Sequence, residues 1–179
     1  MTVATVTRYH PLLVTLHWLL AVLTVVQLAV GYFVLAATPN ADPTKLGILK
    51  GHLIVGAVIF VLMLIRFIVR LASARPAPAT TGYPALDRLA PITHYGFYLL
   101  VLLMVTSGFA TAIMAGIGPV LFGHTGHLPP TFSVYPPRVA HGYLAVLLAA
   151  LILLHVVAAL YHQFGRRDRL FRRMWFGAR

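Results

Sequence analysis

The amino-acid sequence predicts an all-α integral membrane protein, a bundle of four helices that cross a lipid bilayer. Of its 179 residues, 60% are hydrophobic and 9% are charged, whereas a soluble domain carries about 25% charged residues. The apolar residues also fall into four long runs, and about 20 apolar residues in a helix are enough to cross the hydrocarbon core. Both observations indicate a single transmembrane domain over residues 1–179.

The four apolar runs predict spans at about residues 12–37, 51–71, 92–116 and 139–164. The first run contains no charged residue and is too long for a cleaved signal peptide. The second has only fifteen uncharged residues between Lys50 and Arg66, so it spans only if these basic side chains reach toward the headgroups. Segments rich in proline and glycine separate the spans.

Basic residues are distributed unequally between the two ends of the predicted bundle, and this bias sets the orientation of a membrane protein. Eleven arginines fall at one end, and only Lys45, Lys50 and Arg138 fall at the other. We therefore expect both termini in the cytoplasm. The net charge of +11 follows from this topology and does not indicate nucleic-acid binding, and the basic tail is interpreted as a contact with membrane lipid.

The residue types narrow the chemistry that is expected. The sequence has no cysteine, which excludes disulfides, thiolate metal sites and iron–sulfur clusters. The three acidic residues, Asp42, Asp87 and Asp168, lie far apart in the sequence, so a catalytic pair of carboxylates is not expected. Nine histidines remain as the strong metal ligands.

Histidines in the spans are predicted to form two pairs at different depths. His141 and His155 are fourteen residues apart, which corresponds to about 1400° of helical rotation and a rise of about 21 Å. Both therefore lie on one face of the fourth helix, at opposite depths. His52 opens the second span near the outer surface and is paired with His141. His17 opens the first span near the inner surface and is paired with His155.

Two imidazoles that face each other across a helical bundle most simply bind a haem iron. Both axial positions are then filled, which suits electron transfer rather than oxygen chemistry at the iron. Gly31, Gly56 and Gly108 are interpreted as clearance for the macrocycle, with ordinary helix packing as the alternative. Arg66, fourteen residues after His52, is predicted to reach the haem propionates. A haem-free bundle, in which histidines line a proton path, is the rival class.

Other histidines lie outside these two pairs. His94 and His162 lie near the inner surface, where an imidazole can hydrogen-bond a quinone head group and move its protons near neutral pH. For His94, simple anchoring at the interface is the alternative. His124 and His127 form an H-x-x-H pattern in an outer loop, which without further ligands does not predict a metal site.

Four segments resemble the bacterial cytochrome b561 family: LHWLL at 16–20, GH at 51–52, HYGFYLLVLLMVTSGF at 94–109 and HGYLAVLLAALILLHVVAALYHQFGRRDRLFRRM at 141–174. The resemblance runs through all four spans and implies a multi-pass protein of the bacterial inner membrane with two haems b. It implies that His17 and His155 ligate the inner haem, and His52 and His141 the outer haem. The family is related to the b-type subunits of hydrogenases and formate dehydrogenases.

Members that stand alone at this length resemble superoxide oxidases, which implies electron transfer from periplasmic superoxide to ubiquinone. The resemblance matches His162 to a quinone-proximal histidine, and Gln163 stands where many members have a second histidine. Lys45, Lys50 and Arg138 would give the outer mouth a positive field that attracts a small anion. The alternative is a cytochrome b subunit that links a hydrogenase or dehydrogenase partner to the quinone pool. A protein partner is otherwise not required.

Overall fold

The computed structural model describes residues 6–78, 80–123 and 125–177. Within these ranges there is no strand, and four helices are long and apolar enough to cross a membrane: Pro11–Leu35, Pro43–Ala72, Asp87–Met114 and Pro136–Gly165. The predicted all-helical class with four spans is therefore confirmed. We call the end at which the first and third of these helices begin, and the second and fourth end, the terminal end. The opposite end is the distal end.

Six α-helices and two π-helical segments make up the described chain. In order they are α1 (Pro11–Ala29) with the π-helical segment Val30–Leu35, α2 (Pro43–Ala72), α3 (Pro84–Met114), α4 (Gly118–Phe122), α5 (Pro136–Leu160) with the π-helical segment Tyr161–Gly165, and α6 (Leu170–Arg173). Each of the four long helices begins with proline. Proline is favoured there because its fixed φ suits a helix and its missing N–H would have no partner in the first turn.

The second span begins earlier than the sequence predicted, at Pro43 rather than at residue 51. Asp42 caps the helix, because its Oδ1 accepts hydrogen bonds from the backbone N–H of Thr44 at 2.8 Å and from the Thr44 hydroxyl at 2.7 Å. These two bonds, the hydroxyl's first, lower the pKa of the Asp42 carboxyl. Lys45 and Lys50 therefore lie inside the helix. Charge alone was the wrong boundary signal, since lysine is a good helix former.

Lys45 is only 5% exposed, although a buried ammonium group in an apolar bundle is costly. Its Nζ donates hydrogen bonds to the carbonyl oxygens of Leu35 and Thr38, at the end of the first span. The last carbonyl groups of a helix have no partner within that helix. Lys45 supplies these partners from α2 and so joins the first two spans at the distal end.

We expect Lys45→Met to lower the free energy of unfolding by about 1–3 kcal/mol, because two partly buried carbonyl oxygens lose their donor. Lys50→Met is the matched control. The Lys50 ammonium lies 5.2 Å from the centroid of the Phe122 ring, a contact worth about 0.5–1 kcal/mol at exposed sites. Chemical unfolding in detergent micelles, followed by circular dichroism, measures both variants. Equal losses would contradict the capping role.

A layer of apolar side chains crosses the middle of the bundle. It comprises one buried residue from each span, Leu20, Ile59, Val101 and Leu148, each no more than 5% exposed and packed together. Leu148 lies seven residues from both His141 and His155, a rise of about 10 Å in each direction. We call these four residues the central layer. It separates the distal half of the bundle interior from the terminal half.

The C-terminal segment folds back onto the start of the first span. The indole N–H of Trp18 donates to the carbonyl oxygen of Met174 at 3.0 Å, and the backbone N–H of Tyr9 donates to that of Arg173 at 3.0 Å. The rings of Trp18 and Trp175 are edge to face, with centroids 6.0 Å apart. The basic tail is thereby fastened to the terminal end of the bundle.

Candidate cofactor-binding sites

The structure brings both predicted histidine pairs together, each between α5 and another helix. The ring centroids of His52 and His141 are 6.3 Å apart, with planes at 68°. Those of His17 and His155 are 6.2 Å apart, with planes at 72°. We call these the distal pair and the terminal pair. Their nearly equal geometry is what two similar binding sites would require.

The spacing within each pair fits a single metal ion held between two imidazoles. A bond from a metal to an imidazole nitrogen is about 2 Å long, so two rings on opposite sides of one ion have centroids about 6 Å apart. Edge-to-face aromatic packing also gives centroid distances of about 4.5–7 Å. The hydrogen-bond partners of the ring nitrogens are needed to distinguish the two.

The ring of His141 is held in the tautomer that a metal ligand needs. Its Nδ1 lies 3.0 Å from the carbonyl oxygen of Met104 and 3.0 Å from the hydroxyl of Ser107, which itself donates to the Met104 carbonyl at 2.8 Å. Because a carbonyl oxygen only accepts, Nδ1 carries the proton and Nε2 keeps its lone pair. A second contact of this kind commonly orients histidine ligands.

His52 contains a buried polar atom with no partner in the chain. Its Nδ1 is buried and makes no hydrogen bond, whereas its carbonyl oxygen accepts a bond from the Gln27 side chain at 3.0 Å. An unsatisfied buried nitrogen costs about 1–3 kcal/mol. A neutral imidazole has one nitrogen with a free lone pair, and in His52 this nitrogen is available to ligate a bound metal. The donor set of both pairs, neutral imidazoles in an apolar bundle, therefore fits the axial ligation of haem.

Two of the three predicted clearance glycines face the distal pair. A Cβ atom at Gly108 would lie 3.3 Å from Cε1 of His141, and one at Gly31 would lie 3.5 Å from Cε1 of His52. At Gly56 a Cβ atom would have no neighbour within 4 Å. The glycines of the first and third spans thus let the backbone approach the histidine rings closely.

A third imidazole joins the terminal pair. The ring centroid of His94 is 5.9 Å from that of His155, and its Nδ1 lies 2.6 Å from the carbonyl oxygen of Ala90. The sequence contained the signal for this position, because His94 precedes Gly108 by fourteen residues and so shares the face of α3 that meets α5. The quinone role predicted for His94 stays a prediction.

Arg66 lies at the terminal end, beside the same group. Its Nη1 donates to the carbonyl oxygen of Leu13 at 2.9 Å, and its charge acts on the rings of His17 and His155. The guanidinium is largely enclosed by the bundle, where it could hold a carboxylate. Its contact with haem propionates stays a prediction.

His162 makes a side-chain contact with an aspartate that was not predicted from the sequence. Its Nδ1 lies 2.5 Å from Oδ2 of Asp168, and the two side chains are 15% and 27% exposed. His124 lies outside the described residues, so the H-x-x-H pattern with His127 has no structural description. Among the residues that are described, no group of three or more histidine, aspartate or glutamate side chains could hold a metal ion.

Comparison with known proteins identifies the family of this chain. Residues 8–177 match the model of the family described as prokaryotic cytochrome b561. The chain belongs to the prokaryotic cytochrome b561 family. It is also 31% identical to cytochrome b562 of Cereibacter sphaeroides over 170 residues, which cover 93% of this chain and 94% of that protein.

Membership of the cytochrome b561 family establishes the coarse function of the chain. It is a multi-pass membrane protein with a redox function, a b-type cytochrome that binds haem b and transfers electrons. This agrees with the resemblance seen in the four sequence segments. The identity of the electron donor and acceptor, and the number of haems, are separate questions.

Proposed function

We propose that this protein is a di-haem b oxidoreductase of the bacterial inner membrane that transfers electrons from periplasmic superoxide to ubiquinone. In each cycle two superoxide ions would be oxidised to oxygen, and one ubiquinone would take up the two electrons and two protons to become ubiquinol. The observation that supports two redox sites is the presence of two imidazole pairs of nearly equal geometry, at opposite ends of one bundle.

Each pair has the residues to hold one haem. His52 and His141 would hold the distal one and His17 and His155 the terminal one, with Arg66 available for a propionate. Bound haem b supplies reversible one-electron chemistry, which suits a donor that gives one electron at a time. The chain's own residues would position the group, keep the ligating nitrogen of each imidazole unprotonated and exclude water around the rings.

The distal end carries a positive field that would gather a small anion. The charge of Arg138 acts on both rings of the distal pair and on Lys45. Lys50 adds a third cation at this end, beside Phe122. Clustered charge of one sign raises the local concentration of an oppositely charged substrate and its rate of encounter. Lys45 contributes through its field alone, because its ammonium group is occupied by carbonyl oxygens.

The terminal end has polar groups suited to a quinone. His162 is partly exposed beside the end of α5, and the side-chain oxygen of its neighbour Gln163 is buried without a hydrogen-bond partner. A quinone head group accepts hydrogen bonds, and the quinol donates them, so it can satisfy both an imidazole N–H and an amide oxygen. With this end in the cytoplasm, protons for quinol would come from that side.

The test separates donor from acceptor in purified holoprotein. Superoxide from an enzymatic source is expected to reduce the haems, superoxide dismutase is expected to abolish this reduction, and ubiquinone-1 is expected to reoxidise them. His162→Ala should keep the first step and slow the second about 100-fold, the size of a lost proton donor. A protein that superoxide does not reduce, purified with a stoichiometric iron–sulfur partner, would instead be a cytochrome b subunit of a larger enzyme.

A further inference from the structure

The carboxylate of Asp168 lies just beyond the end of α5, in contact with His162. After the π-helical segment Tyr161–Gly165 the chain turns back, and the backbone N–H of Asp168 donates to the carbonyl oxygen of His162 at 3.2 Å. The Asp168 side chain then lies against the His162 ring, with Oδ2 2.5 Å from Nδ1. The same two residues are thus joined through both backbone and side chain.

The backbone on both sides of Asp168 is in an unfavourable conformation. Arg167 and Arg169 each have φ of +57°, in the left-handed region that residues other than glycine rarely adopt. Residues held in this way are concentrated at functional sites, where the surrounding structure enforces them. A π-helical segment, which is itself frequent at functional sites, precedes the turn. This turn therefore positions the Asp168 carboxylate against the His162 ring.

Other charged side chains lie near His162 and Asp168, but they do not take the place of the Asp168 carboxylate. Asp87 is near enough to act on His162 and Arg166, but its Oδ1 already accepts hydrogen bonds from the backbone N–H and the hydroxyl of Thr81, both at 2.7 Å. Arg166 donates to the carbonyl oxygen of Thr80 at 3.4 Å. Asp168 is the carboxylate in contact with the imidazole, and Asp87 serves the start of α3.

We propose that Asp168 is a positioning residue for quinone protonation and that the His162–Asp168 dyad is the proton inlet of the acceptor site. This rests on the proposed function. The carboxylate accepts the Nδ1–H of His162, which fixes the ring so that Nε2 faces the quinone. As two electrons reach the quinone, Nε2 gives a proton to a quinone oxygen, twice per quinol. After each transfer the imidazole takes a new proton from water at the partly exposed dyad.

The first test compares Asp168→Asn with Asp87→Asn, a loss of negative charge at the same end of the bundle. In the holoprotein, reduction of the haems by the donor should be unchanged in both variants. Reoxidation by ubiquinone-1 should slow about tenfold or more in Asp168→Asn, through kcat rather than KM, and stay within about twofold of wild type in Asp87→Asn. The solvent deuterium isotope effect on reoxidation should rise only in Asp168→Asn, and Asp168→Glu should restore most of the rate.

The second test uses the backbone and leaves the carboxylate in place. Arg169→Gly and Arg169→Pro remove the same charge, but glycine accepts a φ of +57° and proline does not. Reoxidation should remain near wild type in the glycine variant and fall toward that of Asp168→Asn in the proline variant, with haem content unchanged in both. The comparison of Arg169→Gly with Arg169→Pro tests the role of Asp168 even if Asp168→Asn fails to fold.

The outcomes distinguish this inference from the function on which it rests. If the wild-type protein does not reduce ubiquinone-1, the proposed function fails and the inlet fails with it. If the wild-type protein reduces ubiquinone-1 and the haems of Asp168→Asn are reoxidised at the wild-type rate, only the proton inlet is overturned. If Asp168→Asn does not fold, the same result in Arg169→Pro overturns it. A rate loss with no change in the isotope effect would assign Asp168 a structural role and would also overturn it.

Discussion

Replacement of His155 by alanine is expected to lower the haem content from about two to about one per chain, because the haem that the terminal pair would hold would lose one of its two imidazole ligands. The His155 ring contacts those of His17 and His94, and it is the imidazole that α5 contributes to the terminal pair. The haem-to-protein ratio of purified material, from the pyridine haemochrome spectrum and amino-acid analysis, measures the effect directly.

His94→Ala is the matched control for this substitution. It removes an imidazole of the same size from the same end of the bundle, 5.9 Å from His155, yet it belongs to neither predicted ligand pair. We expect it to retain about two haems. A larger loss in His94→Ala than in His155→Ala would move His94 into the ligand set and remove His155 from it.

Replacement of Gly108 by leucine is expected to expel the distal haem and leave the terminal one. A Cβ atom at this position would already lie 3.3 Å from Cε1 of His141, and the rest of the side chain would occupy the space beside the ring. Overpacking of this kind costs about 1–3 kcal/mol where the core alone must adjust. A rigid macrocycle cannot adjust, so the ratio should fall from about two to about one.

Gly51→Leu is the control for Gly108→Leu, because Gly51 is exposed next to His52 and a Cβ atom there would have no neighbour within 4 Å. A redox titration should show two haem components in the Gly51 variant and one in the Gly108 variant. Two unchanged components in Gly108→Leu would mean that this glycine serves only helix packing.

Helical arithmetic predicted much of the site. The two histidines of α5 are fourteen residues apart, and each meets the partner that the sequence predicted: His141 meets His52 on α2, and His155 meets His17 on α1. This works because a membrane span is a nearly straight helix, so sequence distance converts to depth and direction. The same arithmetic, applied to His94 and Gly108, also predicts that the His94 imidazole lies beside the terminal pair.

The features that could not be predicted lie where the chain leaves the regular helix. The start of α2 depends on the Asp42 cap. Lys45 is held by carbonyl oxygens at and just beyond the end of the first span, and Lys50 lies over the Phe122 ring. The contact of His162 with Asp168 depends on left-handed backbone at two arginines, and glycine, the usual sequence signal for that conformation, is absent from both positions. The contact between Asp168 and His162 therefore could not be recognised within a run of basic residues in the sequence.

The central layer has a consequence for the energy balance of the membrane. Leu20, Ile59, Val101 and Leu148 fill the bundle midway between its two ends, and an apolar plug of this kind cannot support a file of water molecules that would conduct ions. In the proposed arrangement electrons would tunnel between the two haems across this layer, and protons would not follow them. In the proposed orientation each turnover would carry negative charge inward and consume protons on the cytoplasmic side, so removal of a toxic radical would help to charge the bilayer.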